Sequence, residues 1–122
     1  MQEEVAAFFG RKCCLVTGGT GMIGRQVVKL LCDAGTEVVS VSLDDLKPDS
    51  RCVYVKADLT DFCEAKKVTW GMDCVFHIAG IKGSPKMTIE RPASFMTAPL
   101  MFNTNVFEAA RQNGVKHLVF TG

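Results

Sequence analysis

Leu15-Val16-Thr17-Gly18-Gly19-Thr20-Gly21-Met22-Ile23-Gly24 is the stretch that decides how this chain folds. An apolar strand enters a glycine-rich turn, and a helix with apolar periodicity leaves it over 22–34. Gly18, Gly21 and Gly24 follow one another at intervals of three. Strand, turn and helix in that order aim main-chain N–H groups and the positive end of a helix at one point, where an anion is favoured. The pyrophosphate of a dinucleotide is the natural occupant. Gly18 allows a sharp turn off the strand, Gly21 has no Cβ to block a phosphate, and Gly24 lets the helix lie close on the sheet. A lone glycine triplet is a weak signal; its position between a strand and a helix gives it weight.

Working outward, strands and helices alternate. The spacing predicts a first strand over 12–17 and a helix over about 22–32, with Ile23, Val27, Leu30 and Leu31 as its apolar stripe and Gly35 as its stop. Clustered valines make 37–43 a second strand, 46–50 reads as a Pro-containing loop, and 52–56 is a third strand. Thr60 or Asp61 is placed to cap a short helix ending near Val68. A fully buried strand is expected over 73–78, a Gly- and Pro-containing loop over 80–91, and a long helix over 93–113, kinked or restarted at Pro99. Gly114 ends that helix and 117–121 is a fifth strand. Residues 1–10 read as a short leader, at most a helical turn, ahead of a single domain over 11–122. Alternation of this kind implies an α/β fold with a doubly wound parallel sheet and right-handed crossovers. The expected order is 3-2-1-4-5, with ligand across the carboxyl ends at the switch between strands one and four.

Composition narrows the class. At 122 residues the chain is one domain or part of one, and 48% hydrophobic content is enough for a core. Fourteen basic residues against thirteen acidic ones give no attraction to nucleic acid or to a membrane surface. No stretch has the roughly 18 apolar residues of a membrane span, and the apolar run 5–9 is too short for a signal peptide, so a soluble cytoplasmic chain is expected. The six cysteines fall inside predicted elements and form no Cys-x-x-Cys pair, and His77 and His117 are not at metal-ligand spacing. They read as reduced thiols, with no metal site.

Taken in order, the motifs resemble a known family. TGGTGMIG, then Ala57-Asp58-Leu59-Thr60-Asp61, then Val75-Phe76-His77-Ile78-Ala79-Gly80, then Asn105-Val106-Phe107-Glu108-Ala109-Ala110-Arg111, then Gly114-Val115-Lys116-His117-Leu118-Val119-Phe120 is similar to the N-terminal part of the extended short-chain dehydrogenases/reductases, the NAD-dependent epimerase/dehydratase group acting on nucleotide sugars. The resemblance runs from about Lys12 to the end and implies a Rossmann-type sheet truncated after strand five. Within the group, Ala79-Gly80-Ile81-Lys82-Gly83-Ser84 followed by Pro92-Ala93-Ser94-Phe95 is most similar to the GDP-L-fucose synthase branch, with Ser84 in place of a loop glycine.

The resemblance implies roles. Gly18, Thr20, Gly21, Met22, Ile23 and Gly24 would wrap the pyrophosphate, Asp58 and Leu59 would meet the adenine, and Ala79 and Gly80 would line the ribose and nicotinamide path. Plainer readings stand beside these: Asp58 as a helix cap, His77 as a packed strand-end residue, and Ala79-Gly80 as small residues at a crowded sheet end. It also implies a homodimer built through a four-helix interface that includes the helix at 93–113.

Two departures from the family pattern stand out. Where relatives carry an acidic residue for the ribose hydroxyls, family spacing places Ser42, with Asp44 and Asp45 just beyond. A carboxylate repels a 2′-phosphate and a serine hydroxyl can donate to one, so NADP(H) is expected, with NAD the outcome if Asp44 swings in. Arg25 and Lys47 are candidate phosphate partners or simply solvated charges. The second departure is Pro99, where many relatives have an Asn near the catalytic lysine.

The family's catalytic Ser/Thr and Tyr-x-x-x-Lys fall after strand five, and the sequence stops at Thr121-Gly122. Its one tyrosine, Tyr54, has Asp58 rather than lysine four residues on, so no catalytic residue is assigned and an incomplete domain is expected. Two functions follow: the cofactor-binding half of an NAD(P)-dependent nucleotide-sugar epimerase or reductase, or a dinucleotide-binding sensor without chemistry. A purely structural domain is disfavoured, since packing alone does not demand three glycines at this spacing.

Overall fold

The computed structural model describes residues 2–19, 21–43, 47, 49–78 and 92–120. Its five strands are β1 (Cys13–Thr17), β2 (Glu37–Ser42), β3 (Val53–Lys56), β4 (Cys74–His77) and β5 (His117–Phe120). All pair in parallel, in the order β3-β2-β1-β4-β5. The order reverses between β1 and β4, which makes the carboxyl end of β1 the switch point.

Both faces of the sheet are covered, which is why its central strands read as unbroken apolar runs. Helix α2 (Met22–Asp33) lies on one face, where Cys14, Val16, Val28, Leu31, Val38 and Cys74 form a core. Helices α3 (Phe62–Thr69) and α4 (Pro92–Gln112) lie on the other, closing over Leu15, Val41, Leu59 and Val75. Phe102, Val106 and Ala109 form the stripe that seats α4. Asn113 Nδ2 clamps α4 to α3 by donating to Lys66 O (2.9 Å) and Thr69 Oγ1 (2.8 Å).

Several sequence expectations gain detail. The capping residue of α3 is Asp61, whose side chain accepts from the Cys63 N–H at 2.9 Å. Helix α4 is assigned as one element across Pro99, so the missing N–H removes one bond without ending the helix. The expected leader is an eight-residue helix, α1 (Gln2–Phe9), joined to the sheet. Phe9 packs on Phe76 of β4 (centroids 5.8 Å) and Phe8 meets the His117 ring edge-on at 5.4 Å. Thr36 Oγ1 ties the end of α1 down by donating to Phe9 O at 3.0 Å. The six cysteines are free, and burial, the largest cause, pushes the Cys14 thiol up to about 12. Every residue of β5, the last strand of the described sheet, is exposed.

Among the described residues no helix is long and apolar enough to cross a membrane. Nor does any group of three or more His, Cys, Asp or Glu side chains among them suit a metal.

Candidate functional site

The glycine turn is built by main chain alone. Gly18 has φ +72°, the left-handed conformation that glycine adopts at no steric cost. Its N–H donates to Val41 O of β2 at 3.0 Å, and its carbonyl accepts from the Gly21 N–H at 3.0 Å. Gly21 is the N-cap of α2 (φ −76°, ψ 175°), and its carbonyl accepts the first helical bond from the Arg25 N–H at 2.9 Å.

No side chain caps this helix, and its first turn holds no acidic residue. Among the described residues, the N–H groups at its start therefore have neither a capping oxygen nor a first-turn carboxylate to compete with an anion. Met22 is 86% exposed and Ile23 59%, so the turn projects to the surface.

How closely α2 approaches the turn is measured by Gly24. A Cβ built there would lie 2.0 Å from Gly18 O, an impossible distance. Gly19, to which the sequence reading gave no role, is equally constrained: its Cβ would fall 2.2 Å from Ser40 Oγ, against the buried floor of β2. The Gly18-Gly19 doublet was the available signal, but its cause is a side chain 21 residues further on. Both contacts are with the chain's own atoms, so these two glycines let the turn and α2 pack closely on β1 and β2.

The other candidates sit around the same rim. Ser42 ends β2, beyond the Val41 carbonyl that holds Gly18, and its own carbonyl accepts from the Ala57 N–H at 3.1 Å. Asp58 follows β3 and is exposed. Its Oδ1 accepts from Thr60 Oγ1 (2.6 Å) and the Thr60 N–H (3.0 Å), and these bonds, the hydroxyl's first, hold the carboxyl below its ordinary range. Asp58 thus shapes its own turn, while Asp61 does the helix capping. Leu59 turns its side chain into the core, and its carbonyl accepts from Asn105 Nδ2 at 2.9 Å. Thr20, Ala79, Gly80, Ser84, Asp44 and Asp45 lie outside the described residues.

A polar cluster absent from the sequence reading closes the end of β4. His77, only 1% exposed, pairs with Thr17 in the β1–β4 register. In the tautomer that satisfies both ring nitrogens, Nε2–H donates to Asn103 Oδ1 (2.6 Å) and the Thr17 hydroxyl donates to Nδ1 (2.8 Å). Thr17 Oγ1 also accepts from the Ile78 N–H at 3.0 Å. Phe102, Phe107 and Phe120 surround the ring, with centroids 5.8–5.9 Å from it. Burial lowers the His77 pKa, and the Asn103 bond opposes this less strongly, so the imidazole is neutral. As the sequence suggested, His77 is a packed residue, with no opening for acid–base work. Asn103 left no signal, because it lies 26 residues away on another element. Tyr54 is on β3 with its hydroxyl buried, which removes it as a proton donor to a substrate.

Comparison with known proteins agrees with this geometry. The bifunctional protein GAL10 of Kluyveromyces lactis is 30% identical over 123 residues, covering 90% of this chain and 18% of its own length. The epimerase Mth375 of Methanothermobacter thermautotrophicus superposes with a TM-score of 0.85 at 25% identity, over 98% of this chain and 38% of that one. A mutant uronate dehydrogenase of Agrobacterium tumefaciens, solved with NAD, gives 0.78 at 26% identity over 93% of this chain and 41% of that one. The chain therefore spans well under half the length of these relatives. The profile of the NAD-dependent epimerase/dehydratase family matches residues 14–122, and with a strand order and glycine turn of this kind the chain belongs to that family.

Proposed function

We propose that this chain is the cofactor-binding half of an oxidoreductase or epimerase that acts on a nucleotide sugar with NADP(H), NAD being the alternative. The observation that carries the reading is the uncapped start of α2, pressed so close to Gly18 that no side chain fits between them. When bound, the nicotinamide supplies a reversible hydride acceptor or donor. This chain's residues do the holding. The N–H groups opening α2 bind the pyrophosphate, Asp58 and the Leu59 main chain meet the adenine, and Ser42 donates to the ribose end. The Thr17–His77–Asn103 cluster ties the ends of β1 and β4 to α4 and would keep that rim of the site in place. The GDP-L-fucose synthase branch is the finer reading, supported by the 79–84 and 92–95 segments of the sequence. Pairing of the protein through α4 and a cytoplasmic location belong to the same proposal; exposed Met101 on α4 supports the first.

Gly21→Val tests the reading cleanly. The backbone of Gly21 is extended, a conformation valine adopts readily, so the fold should survive while the side chain occupies the phosphate's place. Calorimetric titration of NADPH and NADH should show binding to the wild type and at least a hundredfold loss in the variant. Unchanged affinity would remove the site. Ser42→Asp should weaken NADPH and leave NADH bound; if NADPH affinity holds, Ser42 does not select the cofactor.

A further inference from the structure

At the amino ends of the strands, opposite the glycine turn, a cavity of about 210 Å³ is lined by Cys13, Glu37, Val39, Arg51, Val53 and Met72. Side chains alternate along a strand, so register sets its wall. Leu15, Val39, Val41 and Val55 belong to the α3–α4 core, which places Cys13 of β1, Glu37 of β2 and Val53 of β3 on that same face. Cys13 is the register partner of Glu37, and Val39 that of Val53. Met72, in the turn before β4, packs against the same core. Along β1, about 13 Å of strand separates Cys13 from Thr17 and the glycine turn above it.

The floor of this cavity is apolar and its mouth is acidic. Val53, on the edge strand β3, is 60% exposed, an apolar surface left to water. Cys13 sits between two carboxylates: its thiol donates to Glu37 Oε2 at 3.2 Å and its N–H to Asp73 Oδ2 at 2.9 Å. The Glu37 bond first, and burial second, push the thiol up, so it stays an uncharged donor. Glu37 keeps its other oxygen for a further donor. Among the described residues no lysine or arginine forms an ion pair with Glu37 or Asp73. Arg51 does not supply the missing charge. Its Nη1 donates to Asp33 Oδ1 at the end of α2 (2.8 Å), and its Nε and Nη2 donate to Asp49 (3.0 Å each). Two carboxylates thus already surround that one guanidinium.

We infer that this cavity binds a small hydrophobic amine, with its apolar body on Val39, Val53 and Met72 and its ammonium on Glu37. Size sets the first limit: a cavity of about 150 Å³ takes benzene, so this one holds a single ring with a short chain. The ring covers Val53 and releases water from it, and the flexible thioether of Met72 adapts to the ring's shape. Charge sets the second limit. An ammonium is a compact cation with several donors, one of which reaches the remaining Glu37 oxygen. An acid of the same shape meets Glu37 and Asp73 and is repelled. A neutral alcohol gains the apolar contact but lacks the charge-assisted bond. The site stands apart from the glycine turn and does not rest on the dinucleotide reading.

Phenethylamine, phenethyl alcohol and hydrocinnamate, titrated separately by calorimetry into wild type and Glu37→Gln, test this, with folding checked by circular dichroism. Wild type should bind phenethylamine with roughly millimolar affinity or better, the alcohol about tenfold more weakly, and hydrocinnamate not at all. Glu37 is exposed, so Glu37→Gln should fold; it should weaken the amine about tenfold, to the level of the alcohol, and leave the alcohol unchanged. Amine affinity should fall with added salt and alcohol affinity should not. In protein carrying carbon-13 methionine methyls, the Met72 signal, identified by its loss in Met72→Leu, should shift with the amine, while that of Met22 at the glycine turn stays still. A folded wild type that does not bind the amine would overturn the proposal. So would equal affinity for amine and alcohol, an amine affinity unmoved by Glu37→Gln, or a shift at Met22 without one at Met72.

Discussion

The glycine turn after β1 and the Thr17–His77–Asn103 cluster at the end of β4 share one rim of the sheet but are built in opposite ways. The turn works through its glycines: φ +72° at Gly18 and a forbidden Cβ at Gly24 let the start of α2 press against the main chain that leaves β1. The cluster works by joining three side chains from β1, β4 and α4, the buried Thr17 and His77 and the half-buried Asn103, in one chain of hydrogen bonds. One region leaves donors for a ligand; the other consumes its donors within the protein. An open site needs a rigid neighbour, because amides bind an anion well only when their positions are already set.

Gly24→Ala should break the first region most severely. The new methyl meets a backbone carbonyl that cannot move aside, so a loss of about 3 kcal/mol or more, or failure to fold, is expected in urea denaturation. Near-normal stability would show that α2 can shift, and that the turn is less fixed than its geometry indicates.

His77→Leu should damage the second region by about 2–3 kcal/mol. The volume is nearly kept, but Asn103 and the Thr17 hydroxyl lose their buried partner. The same variant should weaken dinucleotide affinity if the cluster holds the rim rigid; unchanged affinity in a folded variant would show that the turn is set without it.

The pH dependence sharpens the contrast. His77 is held neutral in the folded chain with its pKa lowered by burial, while in the unfolded chain it titrates near about 6.5. Below that pH the unfolded state takes up a proton that the folded state refuses, so stability is full above about pH 6.5 and falls as pH drops toward the lower folded value. The slope from this residue is at most about 1.4 kcal/mol per pH unit. Asp49 and Glu108, held at about 2, act in a separate and more acidic window. Denaturation at pH 7.5 and 5.5 should show the loss, and His77→Leu should remove most of it.

Asn103→Ala should have the smallest effect, about 1 kcal/mol, because the imidazole keeps its bond to Thr17. A cost equal to that of His77→Leu would mean that the cluster behaves as one cooperative unit.

The contrast also explains how much could be read in advance. The spacing of Gly18, Gly21 and Gly24 is local, and so are the valines of β2 and the stop at Gly35. Strand order followed from alternation and the handedness of crossovers, and the sheet bears it out. The eight-residue α1 was read as a leader because its anchors, Phe76 and His117, are far away in sequence. Leu59 drew attention through its motif, yet its side chain is core, which only the docking of α4 and Asn105 settles.

What the amino-acid order determined by itself is the alternation of strands and helices that implies a parallel α/β sheet and the glycine spacing at its first turn, because both are written in short-range pattern. Tertiary structure alone decided why Gly19 must be glycine, which side of α2 meets β3, and how His77 is held neutral. Each of these depends on atoms brought together from separate elements, and no short-range pattern encodes such a meeting.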